Sequence, residues 1–381
     1  MSDAILRLQS SYSCYATPDG GFELVSIARG KRLQFRIPAA KIEPVIAAMS
    51  AGVREDNAAS RLAHDSGLSP AQVEKLLSNL ERAGALVKRE PENDLSSLDG
   101  TSLYDRQIRF LSFFETPEIS GIELNRRLQE RKVVITGVGG LGGWIALLCA
   151  RVGIRHIIGI DPDRVELSNL HRQILYTRSD IGELKVEACK KTLTSVDDDV
   201  HFSGLAIRIS EPEDILEHLK GADLVINPFP YLPSFADVAR AVSLAALEAG
   251  VPCLNMPVPQ CLGPLTIPGV TACFACAWEK LQDSCRLDYA TQASTPAWGK
   301  QGFLAALAPR QAAYGGLAAW EALRFLSGME RPATLDGAAW LDIGTFQKHG
   351  FVLTPRKADC RVCGRFGFPE NSLENVLEIG V

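Results

Sequence analysis

Alternating apolar and polar residues at the start of the chain predict a small sheet. Three such runs cover residues 11–16, 22–27 and 32–37, and turns that contain glycine separate them. Apolar residues at helical spacing follow over 39–49 and 57–64. Strands followed by helices in this order are typical of a small α+β domain.

A third helix begins with Ser69-Pro70-Ala71-Gln72 and ends at Gly84. The four starting residues form a capping box with proline in the first turn, and glycine is the residue that most often ends a helix. Three strands followed by three helices predict a winged-helix-like domain over residues 1–89. Residues 90–102 are polar, so we interpret them as a linker.

From residue 103 onward the pattern changes to alternating strands and helices. The predicted strands cover 132–136, 155–160, 200–209, 223–227 and 252–256, and the predicted helices cover 144–152, 184–193 and 236–249. This alternation predicts an α/β domain over 103–381, with a mostly parallel, Rossmann-like sheet and helices on both of its faces.

The composition is typical of a soluble globular protein. The chain has 381 residues, of which 46% are hydrophobic and 22% charged, and its formal net charge is −5. An acidic chain does not attract nucleic acid or an anionic membrane in bulk, and no apolar run reaches the roughly 18 residues of a membrane span. The first residues lack a signal-peptide core, so we expect a cytoplasmic protein with reduced cysteines.

A glycine-rich loop with G-x-G-x-x-G spacing lies between a predicted strand and a predicted helix. It contains Gly137, Gly139, Gly140 and Gly142. Glycines let the backbone approach phosphates closely, and the start of a helix attracts negative charge. Asp161 ends the next predicted strand, where a ribose-binding carboxylate is expected. An NAD-linked dehydrogenase would show the same features.

Polar residues further along the chain favour a triphosphate ligand over a dinucleotide. Asparagine and arginine side chains hold ribose and phosphate oxygens, and lysine supplies a point charge. The residues of this set, in chain order, are Asp163, Asn169, Arg172, Gln173 and Lys185.

With these residues, the segment 104–364 resembles the ubiquitin-activating-enzyme-like superfamily of ThiF-type adenylyltransferases. A further matching signature is Tyr104-Asp105-Arg106-Gln107-Ile108. The resemblance implies a homodimer that binds ATP with Mg²⁺ and activates a carboxylate, usually as an acyl adenylate.

The resemblance also implies roles for individual residues. Asp161 would bind ribose, the glycines would shape the phosphate loop, and Arg106 would reach the ATP of the partner subunit. Under this interpretation the catalytic residues are Arg106, Arg172 and Lys185. The cofactor-binding residues are Gly137, Gly139, Gly140, Gly142, Asp161, Asp163, Asn169 and Gln173.

The N-terminal domain narrows the resemblance to enzymes that mature ribosomally made peptide antibiotics, such as microcin C and pantocin A. In that group this domain recognises a leader peptide, which adds as a strand to the small sheet. The implied docking edge is 32–37, beside the helix 69–82. DNA binding is the alternative, but Glu74 and Glu81 oppose Lys75 on the candidate recognition helix, so no basic stripe forms.

One position departs from the family pattern. Where the family has an aspartate that helps to hold magnesium, this chain has Pro230, and Asn227 stands where sulfur-carrier enzymes often have another aspartate. A proline side chain cannot ligate a metal. We therefore expect the loop 228–233 to shape a pocket for an unusual substrate, with Asp163 as the carboxylate left near the metal.

Four cysteines form two C-x-x-C pairs, Cys273 with Cys276 and Cys360 with Cys363. Four thiolates around a tetrahedral ion make a closed structural site. The spacing and the family resemblance predict structural Zn²⁺, and a redox pair or ordinary core cysteines are the alternative. The sequence identifies no catalytic cysteine.

The sequence leads to one main functional hypothesis and two alternatives. The main hypothesis is ATP-dependent maturation of a ribosomal precursor peptide, in which a C-terminal or Glu/Asp side-chain carboxylate is activated for cyclisation or condensation. Activation of a Glu side chain, as for pantocin, is its more specific form. The alternatives are a sulfur-carrier or ubiquitin-like protein adenylyltransferase, and a non-catalytic peptide-binding protein with a decayed ATP site.

Overall fold

The computed structural model describes residues 3–26, 30–231, 235–257, 261–284, 306–342 and 347–366. Ile27, which ends a predicted strand, and residues 232–233 of the predicted proline-rich loop lie outside this part. The chain divides into two compact units, Met1–Arg127 and Leu128–Val381. The domain boundaries at residues 89 and 103 remain a prediction.

Within its described residues, the first unit contains two small antiparallel sheets. The strands are β1 (Ile5–Leu8), β2 (Ser13–Ala16), β3 (Phe22–Ser26), β4 (Lys31–Phe35), β5 (Val53–Arg54) and β6 (Leu86–Arg89). The helices are α1 (Ala39–Ala51), α2 (Ala58–Ser66), α3 (Pro70–Arg82), α4 (Asp105–Leu111) and α5 (Gly121–Glu130). The three predicted strands form the sheet β2-β3-β4, whereas the sheet β5-β1-β6 joins strands that the sequence pattern did not reveal.

Local signals in the sequence explain helix α3. Its capping box is formed as predicted, because Ser69 Oγ accepts a hydrogen bond from Gln72 N at 3.4 Å and Gln72 Oε1 accepts one from Ser69 N at 2.9 Å. One face of the helix carries Val73, Leu76 and Leu80, which are buried in the core of the first unit.

A buried ion pair connects β1 to the segment after β6. The Arg7 guanidinium donates from Nε and Nη2 to the two carboxylate oxygens of Asp94, at 2.7 and 2.6 Å. Asp94 is 1% exposed, although it lies in the predicted linker. Burial alone would raise the pKa of Asp94, but the hydrogen bonds from Arg7 and Ser96 outweigh burial and lower it.

Replacing Asp94 with alanine is expected to lower the free energy of unfolding by about 3–5 kcal/mol, because Arg7 is then left buried without its partner. Chemical denaturation measures the change. In the wild type, this contribution is present above the pKa of an unfolded aspartate, about 3.9. It is lost as the pH falls through the lower pKa of folded Asp94. Glu92, exposed in the same segment, is the control, and equal losses in Glu92→Ala and Asp94→Ala would contradict the interpretation.

The second unit contains the predicted α/β elements. Its strands are β7 (Lys132–Thr136), β8 (His156–Ile160), β9 (His201–Leu205), β10 (Leu224–Asn227), β11 (Cys253–Asn255), β12 (Cys261–Leu262), β13 (Leu265–Thr266), β14 (Gly337–Asp342) and β15 (Gln347–Leu353). Its helices are α6 (Gly140–Arg151), α7 (Lys185–Thr194), α8 (Glu213–Leu216), α9 (Ala236–Ala249), α10 (Phe274–Ser284) and α11 (Ala308–Ser327). A second, antiparallel sheet has the order β12-β14-β15.

The main sheet has the strand order β13-β11-β10-β7-β8-β9. The strands from β11 to β9 pair in parallel, and β13 is antiparallel to β11. This arrangement confirms the predicted Rossmann-like fold. After β7 the chain adds β8 and β9 on one side and then returns to add β10 on the other side. A crevice is therefore expected at the carboxyl ends of β7 and β10.

Several predicted elements of the second unit are confirmed, some with the predicted ends and some with shifted ends. Strand β7 and helix α9 have the predicted bounds. Helix α6 begins at Gly140 rather than at residue 144, because glycines with low helix propensity form its first turn. Strand β9 ends at Leu205 rather than at residue 209.

Helix α11 is the element that comes nearest to the length of a membrane span, with 20 residues. It carries Arg310, Glu321 and Arg324 along its length. Among the helices of the described residues, none combines the length and the apolar character that crossing a membrane requires.

Candidate functional site

A cavity of about 310 Å³ lies in the second unit, at the carboxyl ends of β7 and β10. It forms where the fold places a crevice. The predicted site residues that line it are Gly137, Gly139, Gly140, Gly142, Asp161, Asp163, Arg172, Gln173 and Lys185. Residues from four separate stretches of sequence are thus brought together, as the nucleotide-site hypothesis requires.

The glycine loop follows β7 and leads directly into α6. Gly137 has a φ of +86°, which side chains rarely tolerate. A Cβ at Gly142 would lie 1.7 Å from the carbonyl oxygen of Gly137, so this position excludes every other residue. The cap residue Gly139 offers no side chain to the first turn of α6. The N–H groups at the start of α6 are therefore available to an anion in the cavity.

Asp161, Asp163 and Lys185 form a charged cluster beside the loop. Asp161 accepts hydrogen bonds from the backbone N–H groups of Val138 and Asp163, both at 3.0 Å. Lys185 Nζ lies 2.9 Å from Asp163 Oδ2 and 3.9 Å from Asp161 Oδ1. Burial raises the pKa of Asp161, and the neighbouring Lys185 charge opposes that rise. Lys185 is 6% exposed, so its ammonium is fixed in position.

Arg172 and Gln173 reach the cavity from the turn that precedes α7. Arg172 Nη1 donates to the carbonyl oxygen of Ser168 at 2.7 Å. Gln173 is 5% exposed, and its Oε1 has no hydrogen-bond partner among the described residues. Asn169 is buried in the same turn, where its Oδ1 accepts from Glu166 N at 3.1 Å. Asn169 thus closes the turn that presents the other two side chains.

The loop after β10 forms the wall opposite the glycine loop. Asn227 is fully buried, and its Nδ2 donates to the carbonyl oxygen of Ala239 at 3.0 Å. Its Oδ1 accepts from Phe229 N at 3.3 Å. This amide holds the loop so that the Phe229 ring lies 3.0 Å from the Cβ position of Gly137. Pro230 also lines the cavity, so the position that departs from the family pattern is part of the site.

The carboxylates of the cavity fit a magnesium ion that arrives with the nucleotide. Asp161 already accepts two backbone hydrogen bonds, and Pro230 offers no ligand atom in its side chain. The Asp163 side chain is 55% exposed. Because Mg²⁺ often takes one or two protein carboxylates and completes its shell with phosphates and water, Asp163 is the residue that would hold it.

Helix α11 contributes residues that the sequence analysis missed. Arg310, Gln311 and Tyr314 line the cavity, and the Arg310 guanidinium lies over the Tyr314 ring, 5.8 Å from its centre. A signal was present in the sequence, because an arginine in the first turn of a helix opposes the helix dipole. Such a placement often marks a functional position.

The remaining predicted catalytic residue, Arg106, lies on α4 of the first unit. Three large apolar side chains near it are exposed to solvent, Leu103, Phe110 and Phe113. Exposed apolar groups clustered around a charged residue are typical of a surface that another chain covers.

Strand β4 contains most of the predicted docking edge and forms one edge of the sheet β2-β3-β4. Arg32 and Gln34 on this strand are exposed. Arg32 Nε and Gln34 Nε2 donate to the buried Glu23 carboxylate at 2.9 and 2.6 Å. Lys31 Nζ donates to the carbonyl oxygen of Ala83 at 3.1 Å. This contact joins the start of β4 to the residue that follows α3.

The four predicted cysteines form one cluster in the second unit. Their sulfur atoms all lie within 4.8 Å of one another. The Sγ–Sγ distances are 3.8 Å for Cys273–Cys276, 3.7 Å for Cys273–Cys360 and 3.6 Å for Cys276–Cys363. A tetrahedral zinc with Zn–S bonds of about 2.3 Å places its sulfurs about 3.8 Å apart, whereas a disulfide needs about 2.05 Å. The cluster therefore fits a metal ion.

The surroundings of the cluster support metal binding. The Cys273 thiol donates a hydrogen bond that lowers the pKa of Cys276, and the thiolate is the form that binds metals. Arg356 donates to the carbonyl oxygens of Gly269 and Cys363, at 2.6 and 2.8 Å. These bonds fasten the segment of the second C-x-x-C pair next to that of the first.

Comparison with known proteins gives a family match and curated relatives that are covered over most of their length. The model of the ThiF family matches residues 104–362. The sulfur carrier protein ThiS adenylyltransferase of Escherichia coli is 28% identical over 242 residues, which are 63% of this chain and 88% of that protein. The sulfur carrier protein adenylyltransferase of Thermus thermophilus is 30% identical over 251 residues, or 64% of this chain and 86% of that protein.

Solved structures resemble nearly the whole chain. Escherichia coli MccB with ATP has a TM-score of 0.71 and 20% identity, over 94% of this chain and 99% of that chain. The microcin C7 biosynthetic enzyme MccB in complex with N-formylated MccA has the same TM-score, over 94% and 100%. PaaA has a TM-score of 0.69 and 21% identity, over 91% and 99%. The shared fold thus includes the first unit.

Proposed function

The chain belongs to the ThiF family and is an ATP-dependent, adenylyltransferase-like enzyme, and from this premise we propose that it matures a ribosomal precursor peptide. One observation carries the proposal. The sulfur-carrier enzymes match 63% and 64% of this chain, whereas MccB, which was crystallised with the peptide MccA, matches 94%. The part of the chain that the sulfur-carrier enzymes leave out is explained by a peptide-handling function.

The proposed reaction begins with attack of a peptide carboxylate oxygen on the α-phosphorus of ATP. The bond between the α-phosphorus and its bridging oxygen breaks, and pyrophosphate leaves. A nucleophile of the same peptide then attacks the acyl carbon, loses its proton to solvent, and releases AMP. A Glu side chain is the carboxylate that we favour. The product is a cyclised or condensed peptide.

The cavity residues can supply the electrostatics of this reaction. The start of α6 and the glycine loop bind the phosphates, and Asp161 binds the ribose. Lys185 and Arg172 oppose the charge that develops on the leaving pyrophosphate. Mg²⁺, held by Asp163 and the nucleotide, would add positive charge to the phosphates. Pro230 and Phe229 exclude water from this side of the cavity.

Leader recognition is proposed for the edge of β4 beside α3. Unpaired backbone groups of an edge strand accept a further strand. The position of β4 at the edge of its sheet supports this location, and Lys31 joins the start of that strand to the residue after α3. A leader bound there would hold the modified end of the peptide at high effective concentration.

A homodimer is proposed around α4. The exposed side chains of Leu103, Phe110 and Phe113 supply an apolar surface for a second copy. Arg106 would then act on the nucleotide of the partner subunit. The structural zinc of the four-cysteine cluster would stabilise each subunit without taking part in the reaction.

The proposal is tested with the full chain and a synthetic peptide. The sequence of the peptide is taken from a short reading frame beside the gene of this protein. We expect ATP-dependent release of pyrophosphate and loss of water from the peptide, seen by mass spectrometry. Removing the leader should raise KM by about tenfold or more, while the affinity for ATP stays the same.

A sulfur-carrier protein is the matched comparison substrate. Turnover of the carrier without turnover of the peptide would establish the alternative, which the two curated relatives favour. Peptide binding without release of pyrophosphate would instead establish a non-catalytic partner.

A further inference from the structure

Two helices of the second unit run side by side and begin at the same cavity. A Cβ at Gly140 would lie 3.5 Å from Cδ of Gln311, and a Cβ at Gly315 would lie 2.7 Å from Cβ of Trp144. Both helices advance by four residues between these contacts, so α6 and α11 are parallel. Their positive dipole ends therefore meet at the cavity.

The glycine loop explains one of these two helix starts but not the other. Phosphates of the nucleotide account for the start of α6. The start of α11 has no side-chain cap at Leu307, and its first turn presents Arg310 to the same cavity. A cation at a helix start opposes the helix dipole, and an anion in the cavity would offset that repulsion.

Arg310 also differs from the other cations of the cavity. Lys185 is bound by Asp163 at 2.9 Å, and Arg172 donates to a backbone carbonyl. Within the described part of the chain, neither arginine forms an ion pair, and the contact seen for Arg310 is with the Tyr314 ring rather than with a hydrogen-bond acceptor. Its guanidinium is thus a positive charge on the wall of the cavity whose counter-ion is not supplied by the described residues.

A second feature of the cavity indicates a polar ligand. Gln173 is 5% exposed and lines the cavity, yet its Oε1 has no hydrogen-bond partner among the described residues. A buried polar atom without a partner is costly. The Gln173 amide lies over the glycine loop, with Nε2 3.4 Å from the Cβ position of Gly139. A nucleotide over the loop is expected to satisfy it, so the cavity is built to hold a polar ligand.

We propose that Arg310 binds the substrate carboxylate that is to be activated, beside the site of the nucleotide phosphates. This inference rests on the proposed function and names the residue that holds the second reactant. A planar guanidinium binds a carboxylate through two parallel hydrogen bonds, which fixes its orientation. Such a contact brings two anions together against their mutual repulsion and aligns one for attack on the other.

The test uses the full chain, saturated with a non-hydrolysable ATP analogue, and two small probes. One probe is the α-amide of N-acetylglutamate, which carries one side-chain carboxylate. The other is the matching glutamine compound, which is neutral and nearly the same size. Calorimetric or NMR titration should show that the wild type prefers the acid by about tenfold or more.

Arg310→Met should abolish that preference and leave the affinity for the ATP analogue unchanged. Arg310→Lys should keep part of the preference, since it keeps the charge but not the planar fork. Arg324→Met is the control on the same helix. Arg324 is paired with Glu330 at 3.1 Å, and its loss should leave both affinities as in the wild type.

Two results would overturn the inference. One is that the wild type does not distinguish the two probes. The other is that Arg310→Met weakens binding of the ATP analogue as much as Arg172→Ala does, which would make Arg310 a phosphate ligand. If the wild type prefers the acid through Arg310 but activates no peptide, then the proposed function fails and this inference stands.

Discussion

Replacing Lys185 with alanine is expected to lower the rate of ATP-dependent activation by about 10²–10³-fold, as the loss of one preorganised donor does in other enzymes. Lys185 is 6% exposed and is held by Asp163 and Asp161. It therefore meets the transition state without having to reorganise. The same loss is expected for Arg172→Ala. Release of pyrophosphate at saturating ATP and peptide measures both.

A lysine on the same helix provides the control. Lys190 is exposed on α7, and Lys190→Ala should leave the rate within about twofold of the wild type, since distant surface charges contribute little. Lys185→Ala also leaves the buried Asp161 without a cation, so its thermal unfolding is recorded beside its activity. Arg172 is less buried, and Arg172→Ala provides the test that does not depend on folding. Full activity in Arg172→Ala would show that the cavity is not the site of activation.

Arg106 is expected to act on the neighbouring subunit, which mixed dimers reveal. Arg106→Ala chains and Arg172→Ala chains should each be inactive as pure dimers. When the two are mixed, one of the two sites in a mixed dimer has both arginines, and activity should return. If Arg106 acts within its own chain, no mixed site is intact and activity stays absent.

The sequence predicted those parts of the fold that depend on local patterns. The capping box of α3 and the buried run of β7 define their elements with nearby residues alone. Strands β1 and β6 were missed because they pair with each other across most of the first unit, for example at Ile5 and Arg89. Neither Ile5–Leu8 nor Leu86–Arg89 shows a full alternation of apolar and polar residues, and the partner of a strand cannot be read from spacing.

In the candidate site, too, local sequence identified some residues and tertiary packing placed another. The glycine loop and the charged residues up to Lys185 follow one another closely, so their order was enough to group them. Arg310 is far along the chain, and it reaches the cavity because α11 packs in parallel against α6. That packing depends on Gly315, whose missing side chain makes room for Trp144. A contact between two helices that are far apart in the sequence is a tertiary property. The signal at Arg310 was a cation in the first turn of a helix, where it opposes the helix dipole.

Loss of zinc is expected to have the largest effect on stability. The four sulfurs already lie at the spacing of a tetrahedral site, and Cys273, Cys276 and Cys363 are buried. Metal binding at such a site contributes directly to folding, by up to about 10–16 kcal/mol in isolated zinc fingers. We expect one zinc per chain by elemental analysis, and a fall of several kcal/mol in the free energy of unfolding when a chelator removes it.

Cys360→Ser should reproduce the effect of the chelator, because three thiolates bind zinc less tightly than four. Protease digestion should then release the C-terminal segment, which the cluster fastens to the start of α10. Cys14→Ser is the matched control, since Cys14 is exposed in β2 and lies outside the cluster, and that variant should keep its zinc and its stability. The redox alternative would be established if protein purified without chelator contained no metal and a count of its free thiols showed that these cysteines form disulfides. In that case the distances of 3.6–3.8 Å between sulfurs would have to shorten to those of disulfides.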